Sequence, residues 1–119
     1  MKDFGVCKSI RQYGFELDAD GDPLKEDCIK NNFIMYYSTS EGLELFDALY
    51  ENRNGLKDKY LRFFDELGKK FGNNSNIVGY DPINEPFCSH FMKDLSLLLE
   101  KNFDKKKLLP LYDQILEVL

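Results

Sequence analysis

The chain has 119 residues, 43% of them hydrophobic and 31% charged, with a formal net charge of −5 at pH 7 and three cysteines. That balance suits one modest buried core and excludes a disordered polar chain. The acidic sign excludes the basic face that nucleic acid or an anionic membrane would need, so no nucleic-acid partner is expected. No apolar run reaches the length of a transmembrane segment.

Residues 1–26 read as an irregular acidic loop region. The opening MKDFGVCKSIRQYGF has no apolar stretch followed by a small-residue cleavage site, so it is not a signal peptide. Asp18-Ala19-Asp20-Gly21-Asp22-Pro23 is rich in turn formers. Glu16, Asp18, Asp20, Gly21 and Asp27 have the spacing of a calcium loop. Pro23 breaks that pattern and no amphipathic helices flank it, so a solvated loop is expected instead. Cys7, Cys28 and Cys88 form an odd set without metal-type spacing, and His90 is the single histidine, which argues against zinc. Two readings stay open for the cysteines: free or buried thiols, or one disulfide from Cys28 to a cysteine outside this chain. No metal and no cofactor is implied.

From Asp27 the text becomes patterned. Leu43, Phe46, Leu49 and Tyr50 fall three or four apart after Ser40, a natural N-cap, and predict a helix. Tyr36 and Tyr37 precede it, either as packing aromatics or as sugar-stacking platforms. Asn54-Gly55 predicts a turn. Leu56, Tyr60, Phe63, Phe64, Leu67 and Phe71 then make one apolar stripe on a strong amphipathic helix that Gly72 caps. If nothing else covered that stripe, a free chain of this length would be expected to aggregate or stay molten.

Asn73-Asn74-Ser75 is an N-glycosylation sequon on a surface turn, which would suit a secreted or lumenal protein. Next comes Asn76-Ile77-Val78-Gly79-Tyr80-Asp81-Pro82-Ile83-Asn84-Glu85-Pro86-Phe87. Ile77 and Val78 favour extended backbone, and Pro82 and Pro86 push Asp81 and Glu85 away from helical dihedrals. The stretch predicts a buried strand presenting Asn84 and Glu85 at its carboxyl end. Helix, turn and strand make half of a βαβ unit, so the fold class expected is α/β.

A helical segment is expected over 91–102, with Leu97, Leu98 and Leu99 packing it down. His90 ahead of it is either an incidental loop residue or a substrate contact. Lys105-Lys106-Lys107 reads as a solvated turn. Pro110 fits the first turn of a last helix carrying Leu111, Ile115, Leu116 and Leu119.

The run Gly79-Tyr80-Asp81 ahead of Asn84-Glu85-Pro86 resembles the fourth barrel strand of family 5 glycoside hydrolases, which include cellulases, and is most similar to their endoglycoceramidase branch. Asn54-Gly55-Leu56-Lys57-Asp58-Lys59-Tyr60 resembles that branch's Asp-Gly-Leu-Gln-Asp-Arg-Tyr run. Leu111-Tyr112-Asp113-Gln114 is similar to the start of its next helix. The resemblance runs from about Asp27 onward and is tightest over 54–87. It implies a partial (β/α)8 TIM barrel over 27–119, part of a retaining glycosidase that releases oligosaccharide from glycosphingolipid. Glu85 would be the general acid/base, and Asn84 would hydrogen-bond the sugar 2-hydroxyl. His90, Tyr36 and Tyr37 stand as further substrate-binding candidates. The family's nucleophile, a Glu at the seventh strand, has no counterpart: Glu100 and Glu117 lie in helical patterns. The chain is therefore expected to be a fragment, inactive alone, of an enzyme that is secreted or lies in the lysosomal or endomembrane lumen. An endo-β-glucanase or mannanase fragment is the alternative within the class. A non-catalytic, partner-binding remnant is the alternative outside it.

Overall fold

The computed structural model describes residues 13–119, so Cys7 lies outside the described part. A short antiparallel bridge between Leu17 and Pro23 closes the acidic loop. Within it the Asp18 carboxylate accepts from the N–H groups of Asp20 and Asp22, each at 2.9 Å, so it serves its own turn. Two single-turn helices follow, α1 (Lys25–Cys28) and α2 (Ile34–Tyr37).

The first long helix, α3 (Ser40–Tyr50), starts one residue earlier than Ser40 suggested. Thr39 is its N-cap, and Thr39 Oγ1 accepts from Gly42 N–H at 3.1 Å, satisfying one donor that a helix start leaves unpaired. Gly42 has to be a glycine here, because a Cβ would overlap the Tyr36 carbonyl oxygen of α2. The chain turns at Asn52, Asn54 and Gly55, all with positive φ, as Asn and Gly tolerate. It then enters α4 (Leu56–Phe71). Gly72 caps α4 in right-handed rather than left-handed geometry, its N–H bonding Gly68 O at 2.8 Å.

Both α3 and the last helix, α5 (Leu109–Val118), pack on α4. Tyr50, Phe64, Leu111 and Ile115 form the core, with Phe64 edge-on to Tyr60 at 5.2 Å. The α4 stripe therefore finds most of its cover inside the chain, so the condition for aggregation, an uncovered stripe, is largely not met. Phe63 is the exception and lies exposed. Before α5 the helix widens into a π turn over Asp104–Leu108. Pro110 lacks an N–H and crowds the carbonyl four residues back, and a wider turn relieves that crowding.

Three further expectations change. Among the described residues no strand forms: 77–83 has no regular secondary structure and makes no ladder, and Val78 is fully exposed. A strand exists only when a neighbour takes up its N–H and C=O groups, and none of the described segments lies alongside. The barrel-type α/β architecture is thus not visible as a sheet. Residues 91–102 are not a helix either. They form turns and a 3₁₀ segment at Leu95–Leu98, capped by Asp94 accepting from Ser96 N–H at 3.0 Å. Leu97 is buried, whereas Leu98 and Leu99 face water. The lysine run is not merely solvated, since Lys106 reaches Asp94 at 3.0 Å and Lys107 pairs with Glu51.

Candidate functional site

The segment bearing Asn84 and Glu85 is held by side chains from two helices rather than by a sheet. Tyr60 of α4 donates its hydroxyl to Pro82 O, and Tyr50 of α3 donates to Phe87 O at 3.2 Å. Burial, reinforced by neighbouring Tyr112, pushes both phenols upward, so both stay protonated donors through neutral pH. Between these anchors Asn84 and Glu85 are both exposed. Glu85 has φ 45°, a left-handed backbone uncommon for a residue with a Cβ. Pro86 contributes to this by disfavouring the right-handed helical region for the residue before it. The carboxylate is thus presented on a sharp corner of the chain.

Beside the corner lies a cleft of about 490 Å³. Its lining includes Tyr37, Leu45, Phe46, Leu49, Leu56, Tyr60, Ile83 and Asn84. Asn84 is the amide of an otherwise apolar wall. Of the sequence candidates, Tyr37 and Asn84 meet at this cleft. Tyr37 also packs edge-on against Phe46 at 5.6 Å and lies 5.9 Å from Phe87. Tyr36 turns elsewhere: its hydroxyl donates to Cys28 O at 2.8 Å, and its ring lies against Tyr13 and Phe15. Tyr36 thus lies away from the cleft that Tyr37 and Asn84 line.

Beyond Phe87 the chain is tied to α3 by residues that pattern reading passed over. Ser89 is fully buried, and its hydroxyl donates to the Asp47 carboxylate. Arg53 pairs with Asp47 and, at 3.1 Å, with Glu44. Lys93 joins Glu44 at 2.9 Å. The hydrogen bond from Lys93, with help from Arg53, holds the Glu44 carboxyl below the usual range. Asp47 carried a sequence signal, because it falls on the apolar stripe between Leu43 and Tyr50 at helical spacing, where a carboxylate needs partners. His90 is buried beside Ser89, and among the described residues its Nδ1 has no hydrogen-bond partner. Among the described residues Cys28 and Cys88 are free thiols, and burial pushes the Cys88 thiol up.

Over 102 residues, 85% of its length, the chain is 36% identical to an endoglycoceramidase of Hydra vulgaris. It is related in sequence to the endoglycoceramidases. A second endoglycoceramidase, from Cyanea nozakii, is 34% identical over 95 residues, 80% of this chain. The chain spans about a fifth of the length of these curated relatives, 20% and 19% respectively. No family model and no solved structure matches it. The endoglycoceramidase relationship thus covers most of this chain but only a small part of each relative.

Proposed function

We propose that this chain is the acid/base segment of a retaining, endoglycoceramidase-type glycosidase of family 5. The identity to two endoglycoceramidases over four-fifths or more of the chain carries the reading. In this reading Glu85 protonates the departing glycosidic oxygen and then takes the proton of the incoming water. Asn84 holds the sugar 2-hydroxyl through a bond that strengthens as positive charge develops on the ring. The segment 76–87 becomes the fourth strand of a (β/α)8 barrel. The nucleophilic carboxylate comes from a part of the enzyme outside this chain, about 5–5.5 Å from Glu85 as retaining chemistry requires.

The apolar cleft beside Asn84 favours a lipid-linked glycan over a glucan or mannan chain, since a ceramide presents hydrocarbon next to its first sugar. A graft tests this. The matching stretch of the Hydra relative is replaced by that of this chain, and oligosaccharide release from a glycosphingolipid is compared with release from β-glucan and mannan. The expected result is glycolipid cleavage that Glu85→Gln lowers by about 10²–10⁴-fold. A folded graft whose rate survives Glu85→Gln would sink the assignment. Preferential cleavage of β-glucan or mannan would move the substrate to the polysaccharide reading.

A further inference from the structure

α4 ends at Phe71, and the chain reverses through 72–76 before extending. The middle residue of the sequon builds this reversal. Asn74 N–H bonds Phe71 O at 2.9 Å, and Asn74 O accepts from Ile77 N–H at 3.0 Å. The Asn74 side chain also accepts from Asn76 N–H at 3.0 Å. Its two flanking residues are left free of that work. The side chains of Asn73 and Ser75 are exposed and, among the described residues, engage in no hydrogen bond. An acceptor amide and a hydroxyl two residues on, both open to solvent on a turn, are what N-glycosylation needs.

We infer that Asn73 carries an N-linked glycan, added in the lumen of the secretory pathway. In the transfer, Asn73 Nδ2 forms a bond to the anomeric carbon of a lipid-pyrophosphate-linked oligosaccharide. The anomeric C–O bond to pyrophosphate breaks, the lipid pyrophosphate leaves with the electron pair, and a lumenal oligosaccharyltransferase takes up the proton lost from nitrogen. Asn74 cannot substitute, because the residue two positions on is Asn76. The site lies ahead of the extended segment, twelve residues before Glu85, and the inference stands whether or not the glycosidase reading holds.

The test uses the protein purified from its own cells. Treatment with peptide N-glycosidase in heavy-oxygen water should make tryptic peptide 71–93 appear in unglycosylated form, labelled at residue 73. In secretory eukaryotic cells, Ser75→Ala should abolish the label, while Ser75→Thr and Asn74→Gln keep it. The two Ser75 changes touch a side chain without a hydrogen bond among the described residues, so they leave the turn intact, whereas Asn74→Gln gives up the turn bond to Asn76 N–H and is read only in protein that melts as the parent does. A native peptide 71–93 with an untouched Asn73, or a glycan that survives Ser75→Ala, overturns the inference. Asn73→Gln should leave glycolipid cleavage unchanged. Labelling at Asn73 together with no glycolipid cleavage by a folded Hydra graft would therefore remove the glycosidase reading alone.

Discussion

The contact between Ser89 and Asp47 should dominate how firmly the loop after Glu85 is held. Ser89 is fully buried and Asp47 nearly so, and the bond joining them is charge-assisted. Ser89→Ala removes that bond, worth about 1.5–3 kcal/mol net, while Asp47 keeps Arg53 and Lys93. Asp47→Ala does more. It strands the Ser89 hydroxyl away from water and leaves Arg53 with Glu44 alone, for a loss of about 3–5 kcal/mol. The Arg53 and Lys93 pairs are partly exposed, so each adds only about 0–1 kcal/mol and cannot substitute for the buried bond. The double variant should therefore be barely worse than Asp47→Ala, with a coupling of about 1.5–3 kcal/mol. Urea unfolding monitored by circular dichroism reads this directly, since with a slope of about 1–3 kcal/mol/M the midpoint moves by roughly 0.5 M or more in Ser89→Ala and by roughly 1 M or more in Asp47→Ala. Single-variant losses that add to within about 0.5 kcal/mol would refute the reasoning.

Alkaline pH should weaken the fold through Tyr50 and Tyr60. Both phenols are raised by burial, so the folded chain keeps protons that the unfolded chain releases, and stability is full below about pH 10 and falls above it. Thermal melts between pH 8 and 12 should show this decline, flattened in Tyr50→Phe at a cost of about 1 kcal/mol for its lost bond to Phe87; an unchanged slope in that variant would rule Tyr50 out as its source. Glu85→Gly should act in the opposite sense on stability. A left-handed backbone costs a residue with a Cβ about 1–2 kcal/mol, and glycine's added chain entropy gives back about 0.5–1, so the variant should melt slightly higher. A lower melting temperature would mean that the Glu85 side chain supports the corner it occupies.

How legible each element was depends on whether its partners are local. The α4 stripe was readable because its apolar residues recur at the helical period, with Phe64 in the core, Tyr60 and Leu67 packed against it, and Leu56 buried. Phe63 misled because it sits about 100° around the helix from Phe64. Leu97, Leu98 and Leu99 misled because their segment is a 3₁₀ turn rather than an α-helix, and only Leu97 is buried. The strand expected over 76–87 rested on propensity, which reports fit to a half-buried pleated surface and supplies no neighbour. Tyr50 and Tyr60 were legible as core residues, but their hydroxyl partners lie 37 and 22 residues away, beyond any local pattern. The corner at Glu85 was half visible. Pro86 excluded helix there, and nothing local specified a positive φ.

The extended segment keeps its shape through few contacts. Two tyrosine hydroxyls fix Pro82 and Phe87, and the Ser89 hydroxyl ties the next turn of chain to α3, so the Asn84-Glu85 corner is suspended between pinned points. Each such bond is worth about 1 kcal/mol, more where a charge is involved, which suffices to position a corner but not to bury a strand. The fully exposed Val78 reflects this, as does a radius of gyration of 16.5 Å where about 13–14 Å would suit a compact domain of this length. In the proposed barrel, strands on either side would supply ladder bonds and cover both faces of 76–87, because parallel sheets are buried on both sides. The gain would be largest at Val78, which now makes the least use of its hydrophobic surface. The α4 and α5 contacts would stay as they are, since their core is already filled by Tyr50, Phe64, Leu111 and Ile115. In that barrel reading the helices would already be packed by their own residues, and the segment that carries Glu85 would be the part completed by neighbouring strands.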